Sequence, residues 1–217
     1  MTKSEEDYIK FLYQPSFQHE QEGIKISTIA KYFGYTEQSV NEMIKRLNEK
    51  NFVEYFPYKG VRLTQEGREH ALKMIRAHRV WEVFLFEKLG YGWDEVHDLS
   101  EVLEHTNQDE MIEKLYHFLD KPKHCPHGNP IPTTGQEDMT DAWTSLDQAI
   151  LNQPFVVQRV EDSPELLQFL TSIRIQLGTT LVVQHVDSFN ELITIKVNES
   201  SRSISFKNAS KVFGIAK

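Results

Sequence analysis

The sequence lacks the features of an exported or membrane-bound protein. Its 217 residues contain one cysteine, Cys125, so no disulfide can form within the chain. No apolar run approaches the roughly 20 residues that a membrane-spanning helix needs, and the first residues, Met1 to Asp7, carry no apolar export segment. We therefore expect a cytoplasmic protein that does not bind membranes.

The chain also lacks basic charge overall, with a net charge of -8 that disfavours nucleic-acid binding by the chain as a whole. The charge is uneven, however. Residues 1–76 hold 12 Lys and Arg against 11 Asp and Glu, which leaves 12 and 21 for the remaining residues. Any surface that binds DNA phosphates is therefore expected in the first third of the chain.

An acidic stretch in the middle of the chain lacks nearby basic side chains. No lysine or arginine occurs between Lys88 and Lys114. The acidic residues there are Asp94, Glu95, Asp98, Glu101, Glu104, Asp109, Glu110 and Glu113. A solvated helix face, the ordinary explanation of such charges, normally mixes both signs. A site for a divalent cation explains the one-sided charge better.

Helical spacing places the candidate ligands of this stretch on one face. On a helix with 3.6 residues per turn, four of them fall within an arc of roughly 100°, opposite the apolar residues. These four are His97, Glu101, Glu104 and His105. His78 and Glu82 lie four residues apart on a second helical segment, Leu72 to Leu89. Two such faces would form a cage of oxygen and nitrogen ligands.

The first third predicts a helix-turn-helix followed by a small hairpin. A helix is expected from Glu5 to Tyr13, and Ser27 is expected to cap a second one that ends at Gly34. Thr36 caps the third, which would enter the major groove. Strand-like runs then flank the turn at residues 57–60, as in a winged helix.

Polar residues of this winged helix are candidates for DNA contacts. Side chains on the third helix can donate to and accept from base edges, and basic residues on the wing would meet phosphates. The candidates are Ser27, Thr36, Glu37, Gln38, Ser39, Asn41, Lys45, Lys59 and Arg62. The alternative is that they are ordinary polar surface residues.

The last third changes from helical to strand-like patterns. An amphipathic helix is predicted over residues 138–151, and short alternating runs from Phe155 onward, with one helix at Pro164 to Leu170, predict a small β-barrel. The predicted fold is mainly α with small β. Its domains are a winged helix-turn-helix (1–72), a helical metal-binding and dimerisation domain (73–152) and an SH3-like barrel (153–217).

Motifs across the first 132 residues carry a family resemblance. They are Glu6-Asp-Tyr-Ile-Lys, Ser39-Val-Asn-Glu-Met, Tyr58-Lys-Gly-Val-Arg-Leu-Thr-Gln-Glu-Gly, His78-Arg-Val-Trp-Glu-Val-Phe, Glu101-Val-Leu-Glu-His and Cys125-Pro-His-Gly-Asn-Pro-Ile-Pro. The chain resembles the diphtheria toxin repressor family of metal-dependent transcriptional repressors, in its manganese-responsive branch. Its last domain resembles the SH3-like, or FeoA-like, domain of the longer members.

The resemblance implies two metal sites. It implies a regulatory site formed by Asp7, Glu101, Glu104 and His105, with His78 nearby. It implies a second site, which would join the barrel to the helices, formed by Glu82, Cys125, His127 and Asp162. His97 matches an ancillary ligand of some relatives. For Cys125, the alternative is a small buried hydrophobic residue.

The chain departs from its relatives at three ligand positions. Iron-selective members carry Met and Cys where this chain has Asp7 and Glu101, and carboxylates favour a harder ion such as Mn(II) over Fe(II). Fe(II) and Zn(II) remain alternatives. Short manganese members carry an acid where this chain has Lys10, which argues against a closely spaced two-metal cluster.

The resemblance implies a repressor rather than an enzyme. Asp7 lies on the first helix of the DNA-binding domain, so a bound ion would hold two recognition helices of a homodimer on a palindromic operator. A metalloenzyme could use similar ligands, but the sequence has no His-Glu-x-x-His motif. A metal-independent winged-helix regulator would leave Cys125 and His127 unexplained.

Overall fold

The computed structural model describes residues 1–14, 23–106, 109–133 and 143–216, which fall into two compact units. The first unit comprises Met1–Ala77, Glu104–Asn107 and Pro132–Glu137. The second comprises His78–Leu103, Gln108–Ile131 and Asp138–Lys217. Within the described ranges, no helix has the length and apolar character needed to cross a membrane.

The first unit contains the predicted helix-turn-helix and hairpin. Its elements are α1 (Lys3–Leu12), α2 (Ile26–Phe33), α3 (Glu37–Glu49), β1 (Val53–Phe56) and β2 (Gly60–Leu63). Gly34 ends α2 in the left-handed conformation with φ 69°, and Thr36 caps α3 by accepting a hydrogen bond from the Ser39 amide. Both predictions are confirmed.

The predicted cap at Ser27 is wrong. Helix α2 begins one residue earlier, at Ile26, so Ser27 lies in its first turn, and the N-cap residue Lys25 makes no side-chain cap. The reason is tertiary: Ile24 pairs with Val61 in an antiparallel bridge. The extended segment therefore ends at Lys25, and the helix starts directly after it.

Two buried carboxylates interrupt the apolar face of α1. The side chains of Glu5 and Glu6 are almost completely buried, beside core residues such as Ile9. Lys50 Nζ lies 2.8 and 2.9 Å from the two oxygens of Glu5. This hydrogen-bonded ammonium group lowers the pKa of Glu5 from its ordinary value, against the opposing effect of burial.

Helix α4 (Gln65–Leu89) begins after Thr64, whose hydroxyl accepts a hydrogen bond from the Gly67 amide. It is followed by α5 (Val96–Leu103), a 3₁₀ turn (Glu104–Thr106) and α6 (Asp109–Phe118). The helix expected to carry all four ligands from His97 to His105 therefore ends at Leu103. The last two of these ligands lie on the 3₁₀ turn, in the first unit.

The C-terminal region forms an open six-stranded antiparallel sheet in the order β3-β8-β4-β5-β6-β7. Its strands are β3 (Thr144–Ser145), β4 (Pro154–Val160), β5 (Thr180–Asp187), β6 (Leu192–Val197), β7 (Ser200–Ser205) and β8 (Val212–Ala216). The predicted closed barrel is wrong, because the edge strands β3 and β7 do not pair within the described residues. Alternation along each strand predicts the strands but not closure, which depends on that pairing.

The helix predicted over residues 138–151 is wrong where the structure describes it. Residues 138–142 lie outside the described ranges, Thr144 pairs with Gly214, and Leu146–Gln148 form a 3₁₀ turn. Leu146 is fully buried in the sheet core, which overrides the helical spacing of its neighbours. The predicted helix after β4 is confirmed as α7 (Pro164–Ser172), and a short helix α8 (Phe206–Ala209) precedes β8.

Candidate metal centre and nucleic-acid interface

The first candidate centre lies entirely within the first unit. It combines Asp7 from α1 with Glu104 and His105 from the 3₁₀ turn, and each residue offers a ligand atom within 4.8 Å of the others. His105 Nε2 lies 3.1 Å from Asp7 Oδ1 and 3.7 Å from Glu104 Oε1. Two carboxylates and an imidazole from segments about a hundred residues apart thus meet at one point.

Glu6 sets the orientation of the imidazole in this centre. His105 Nδ1 lies 2.7 Å from Glu6 Oε2, which directs Nε2 toward Asp7 and Glu104. His105 Nε2 is buried and makes no hydrogen bond within the described residues. A buried nitrogen that lacks a hydrogen bond and faces two carboxylates fits a metal ligand, and the bond to Glu6 fixes the matching tautomer. Sequence reasoning did not assign this role to Glu6, although an acid on the apolar face of α1 is a signal for it.

A lysine also occupies the first centre. Lys10 Nζ lies 2.9 and 2.7 Å from the two oxygens of Glu104. The side chain of Glu104 is completely buried, whereas that of Lys10 is 22% exposed. The ammonium group therefore supplies a positive charge to a buried carboxylate that is also a candidate ligand.

The second candidate centre lies within the second unit and joins three segments. Glu82 comes from α4, Cys125 and His127 from the loop after α6, and Asp162 from the connection between β4 and α7. His127 Nδ1 lies 3.2 Å from Glu82 Oε1 and 3.1 Å from Asp162 Oδ1. Cys125 Sγ lies 3.9 Å from the same nitrogen, His127 Nδ1.

His78 and His97 extend the second centre on the side of Glu82. His78 Nε2 lies 3.0 Å and His97 Nδ1 lies 3.8 Å from Glu82 Oε1. Glu101 is close to both imidazoles, at 3.6 Å from His78 Nδ1 and 3.8 Å from His97 Nε2. His78 and Glu101, which the resemblance assigned to the regulatory site, therefore contact each other and the residues around Glu82 within this unit.

Unsatisfied buried atoms in the second centre also fit a metal ion. Glu82 Oε2 and His97 Nδ1 are buried without a hydrogen bond among the described residues. His127 Nε2 lies 2.6 Å from the carbonyl oxygen of Trp93, so the ring donates there and presents Nδ1 to the carboxylates. The thiol makes this set softer than the first, which has only oxygen and nitrogen donors.

The charged groups of the second centre influence one another's protonation. Burial opposes ionisation of Glu82, but the imidazoles of His78 and His127 hold its pKa well below the ordinary value. Burial likewise opposes protonation of His127, yet Asp162 and Glu82 raise its pKa above the ordinary value. Burial, reinforced by Glu82, raises the pKa of the Cys125 thiol to about 12. Binding of an ion by Cys125 and His127 would therefore release protons.

Asn129 is a further residue of this site that sequence reasoning missed. Its Nδ2 donates to Asp162 Oδ1 at 2.6 Å and its Oδ1 accepts from Arg159 Nη1 at 3.2 Å. Gly128 lets this loop approach β4, because a Cβ there would lie 2.1 Å from the carbonyl oxygen of Gln158. The only sequence signal for Asn129 is its place in the motif that begins at Cys125.

We expect Asn129→Ala to weaken metal binding at the second centre about tenfold, the lower end of the effect of removing a partner of a ligand. The reason is that Asp162 would lose the bond that orients its carboxylate. Calorimetric titration with metal measures the affinity of the second centre in the variant and in the parent. The control is Asn190→Ala, which removes a similar bond, 2.7 Å from Asn190 Nδ2 to Asp187 Oδ2, in an exposed turn. Equal affinities in the two variants would contradict the role of Asn129.

The predicted DNA contacts lie on one helix-turn-helix and its wing. Side chains on α3 and at its N-cap are exposed, namely Thr36, Glu37, Gln38, Ser39, Asn41 and Lys45. Ser27 is exposed in the first turn of α2, and Lys59 is exposed in the hairpin turn. Asn41 Nδ2 donates to the Glu37 carbonyl oxygen at 2.8 Å, a bond that a base contact would replace. Arg62 is half-buried, with its guanidinium 5.4 Å from the centre of the Phe56 ring.

Family models cover most of the chain in three consecutive segments. Residues 1–61 match the N-terminal DNA-binding domain of iron-dependent repressors, and residues 64–133 match their metal-binding and dimerisation domain. Residues 144–215 match the FeoA domain.

Known relatives agree with these models. An uncharacterized HTH-type transcriptional regulator of Methanocaldococcus jannaschii is 33% identical over 121 residues, which cover 56% of this chain and 96% of that protein. The diphtheria toxin repressor of Corynebacterium glutamicum is 27% identical over 212 residues, covering 92% of this chain and 89% of that protein.

Solved structures of similar proteins match over the whole chain. A manganese-dependent transcriptional repressor in complex with manganese has a TM-score of 0.86 at 29% identity, covering 98% of this chain and 100% of that one. The manganese regulator SloR has a TM-score of 0.83 at 33% identity and covers all of both chains. With both repressor models matched in order, the chain belongs to the diphtheria toxin repressor family of metal-dependent transcriptional repressors.

Proposed function

We propose that this protein is a manganese-responsive repressor. In this proposal it binds a palindromic operator as a homodimer when Mn(II) is bound, controls genes for metal-ion uptake, and acts in the cytoplasm, where such operators lie. Its proposed domains are residues 1–72, 73–152 and 153–217. Two solved relatives whose names state manganese dependence or regulation support the choice of ion.

The observation that carries the proposal is the meeting of Asp7 with Glu104 and His105. Asp7 lies on α1, which packs in the same core as α2 and α3 of the DNA-binding motif. A divalent ion would be coordinated by all three of these donors, and its positive charge would offset the charges of the two carboxylates. Asp7 and the 3₁₀ turn would then hold α1, and with it the DNA-binding motif, in one arrangement.

The donor set supports manganese over softer ions. The first centre offers carboxylate oxygens and one imidazole, which suit Mn(II), and Zn(II) has a tetrahedral preference that would leave some of them unused. We include Glu101 and His78 in the proposed regulatory set on the resemblance alone. An iron- or zinc-responsive regulator of the same fold is the alternative. Metal-dependent regulation, rather than catalysis, accounts for the joint presence of the DNA-binding motif and the two centres.

Exposed apolar residues support the proposed homodimer. Four such residues of the second unit lie near the end of α4 or on α5, where one copy could meet another. They are Phe86, Leu89, Leu99 and Val102.

We expect Val102→Glu to convert the dimer into monomers, because it places a charge on an apolar contact surface. Val102 is 63% exposed in the single chain, so the substitution leaves the folded monomer intact. Analytical ultracentrifugation measures the result. Phe189→Glu, at a residue that is 93% exposed in the turn between β5 and β6, is the control and stays dimeric. A dimeric Val102→Glu protein would contradict the proposed surface.

The function is tested by binding of the protein to promoter DNA from a metal-uptake gene, followed by fluorescence anisotropy. Mn(II), Fe(II) and Zn(II) are titrated separately against metal-free protein. The protein concentration is chosen so that the DNA stays unbound when no metal is added. At that protein concentration, we expect added Mn(II) to produce tight binding. Equally tight binding by metal-free protein would contradict the proposal.

A further inference from the structure

Lys10 stands where its charge competes with a metal ion for Glu104. Its ammonium group contacts both oxygens of the carboxylate, at 2.7 and 2.9 Å. The same carboxylate contributes to the cluster with Asp7 and His105, and Glu104 Oε1 is the oxygen that lies 3.7 Å from His105 Nε2. One carboxylate is therefore shared between a fixed internal cation and the candidate ligands.

Burial makes this sharing important. The side chain of Glu104 is fully removed from solvent, so its charge requires a partner in the metal-free protein. A divalent ion on Glu104 would lie close to the ammonium group, and two cations repel strongly where water is excluded. Lys10 therefore has to give up at least part of its contact when a metal ion binds.

We propose that Lys10 sets the metal concentration at which the regulatory site fills, by acting as an internal competitor for Glu104. This inference rests on the proposed function of the site. The free energy that is lost when Lys10 gives up its contact with Glu104 lowers the affinity of the site for any divalent ion. The site therefore stays empty until the ion is abundant. Because the displaced group is the same for every divalent ion, Lys10 changes the threshold more than the selectivity.

Lys10→Met tests the proposal, because it keeps the length of the side chain but removes the charge and offers a thioether that is a poor ligand for Mn(II). We expect the dissociation constant for Mn(II), measured by calorimetry on the full chain, to fall about tenfold, the lower end of what a hydrogen bond to a charged group contributes. The number of ions bound per chain and the ratio of Mn(II) to Zn(II) affinity stay unchanged. The Mn(II) concentration for half-maximal operator binding falls by the same factor.

Two further variants separate displacement from a general change in charge. Lys50→Met removes an equal charge from the similar pair with Glu5, 2.8 and 2.9 Å, in the same unit, and keeps the parent affinity. Lys10→Arg keeps the charge beside Glu104 and retains an affinity close to that of the parent. Circular dichroism confirms that each variant is folded.

The outcomes distinguish this inference from the proposed function. Unchanged or weaker Mn(II) binding by folded Lys10→Met would show that Lys10 does not compete, and would overturn the inference alone. An equal gain in Lys50→Met would also overturn it, because the effect would then be long-range charge. If the parent chain binds no Mn(II) at this site, both the proposed function and the inference fail.

Discussion

Glu104→Gln is expected to abolish metal-dependent operator binding while leaving a folded dimer. The amide keeps the shape of the side chain but removes the negative charge that a hard divalent ion requires from its ligands. We expect Mn(II) binding at the regulatory site to weaken by about 100-fold or more, since even partners of ligands contribute 10- to 100-fold. Calorimetry gives the affinity and anisotropy gives the operator binding.

Glu5→Gln is the matched control for this experiment. Glu5 is another buried carboxylate of the first unit that pairs with a lysine through both oxygens. It belongs to neither cluster of candidate ligands, so its substitution tests the effect of losing a buried charge and ion pair. We expect this variant to keep the parent response to Mn(II). If Glu104→Gln binds Mn(II) as tightly as the parent, Glu104 is not a ligand of the regulatory site.

Cys125→Ser combined with His127→Ala is expected to lower metal binding by about one ion per chain, because it removes the thiol and the imidazole that the loop after α6 contributes to the second centre. The same variant should make residues 153–217 easier to cleave by protease, because Cys125, His127 and Asp162 connect the loop after α6 to the end of β4. Operator binding should weaken less than in Glu104→Gln. Inductively coupled plasma mass spectrometry and limited proteolysis provide the two readouts.

His124→Ala is the control in the same loop. His124 is exposed and belongs to neither candidate cluster, so its loss should leave the number of bound ions and the protease resistance unchanged. A double variant with full metal content and unchanged resistance would mean that Cys125 and His127 do not form a metal site. Cys125 would then be a small buried residue of the loop packing.

Local signals were sufficient to predict the DNA-binding motif. Gly34 in its left-handed conformation and Thr36 as a helix cap act within a few residues of the chain, so the sequence alone identifies them. The i, i+4 spacing of His78 and Glu82 likewise brought these side chains to 3.0 Å on α4. The family resemblance named Asp7, Glu104 and His105, which the structure brings together.

Interactions between distant residues were not predictable from local patterns. Glu6 orients His105 across 99 residues, and Asn129 reaches Asp162 across 33. The same holds for the sheet. Its strands were predicted from alternating apolar residues, but whether the sheet closes depends on which strands pair. The apolar spacing around Leu146 predicted a helix, but the burial of Leu146 in the sheet core overrides that local pattern.

The most direct test of metal-coupled DNA binding is the Mn(II) affinity of the protein measured with and without operator DNA. Binding equilibria are reciprocal, so a metal that tightens DNA binding must itself be bound more tightly by the protein on DNA, by the same factor. The measurement uses the Cys125→Ser, His127→Ala chain so that the regulatory site is observed alone. We predict a tightening of about 10- to 100-fold on operator DNA, within the usual range of such coupling, and none on DNA of unrelated sequence. Equal Mn(II) affinities with and without the operator would contradict the account.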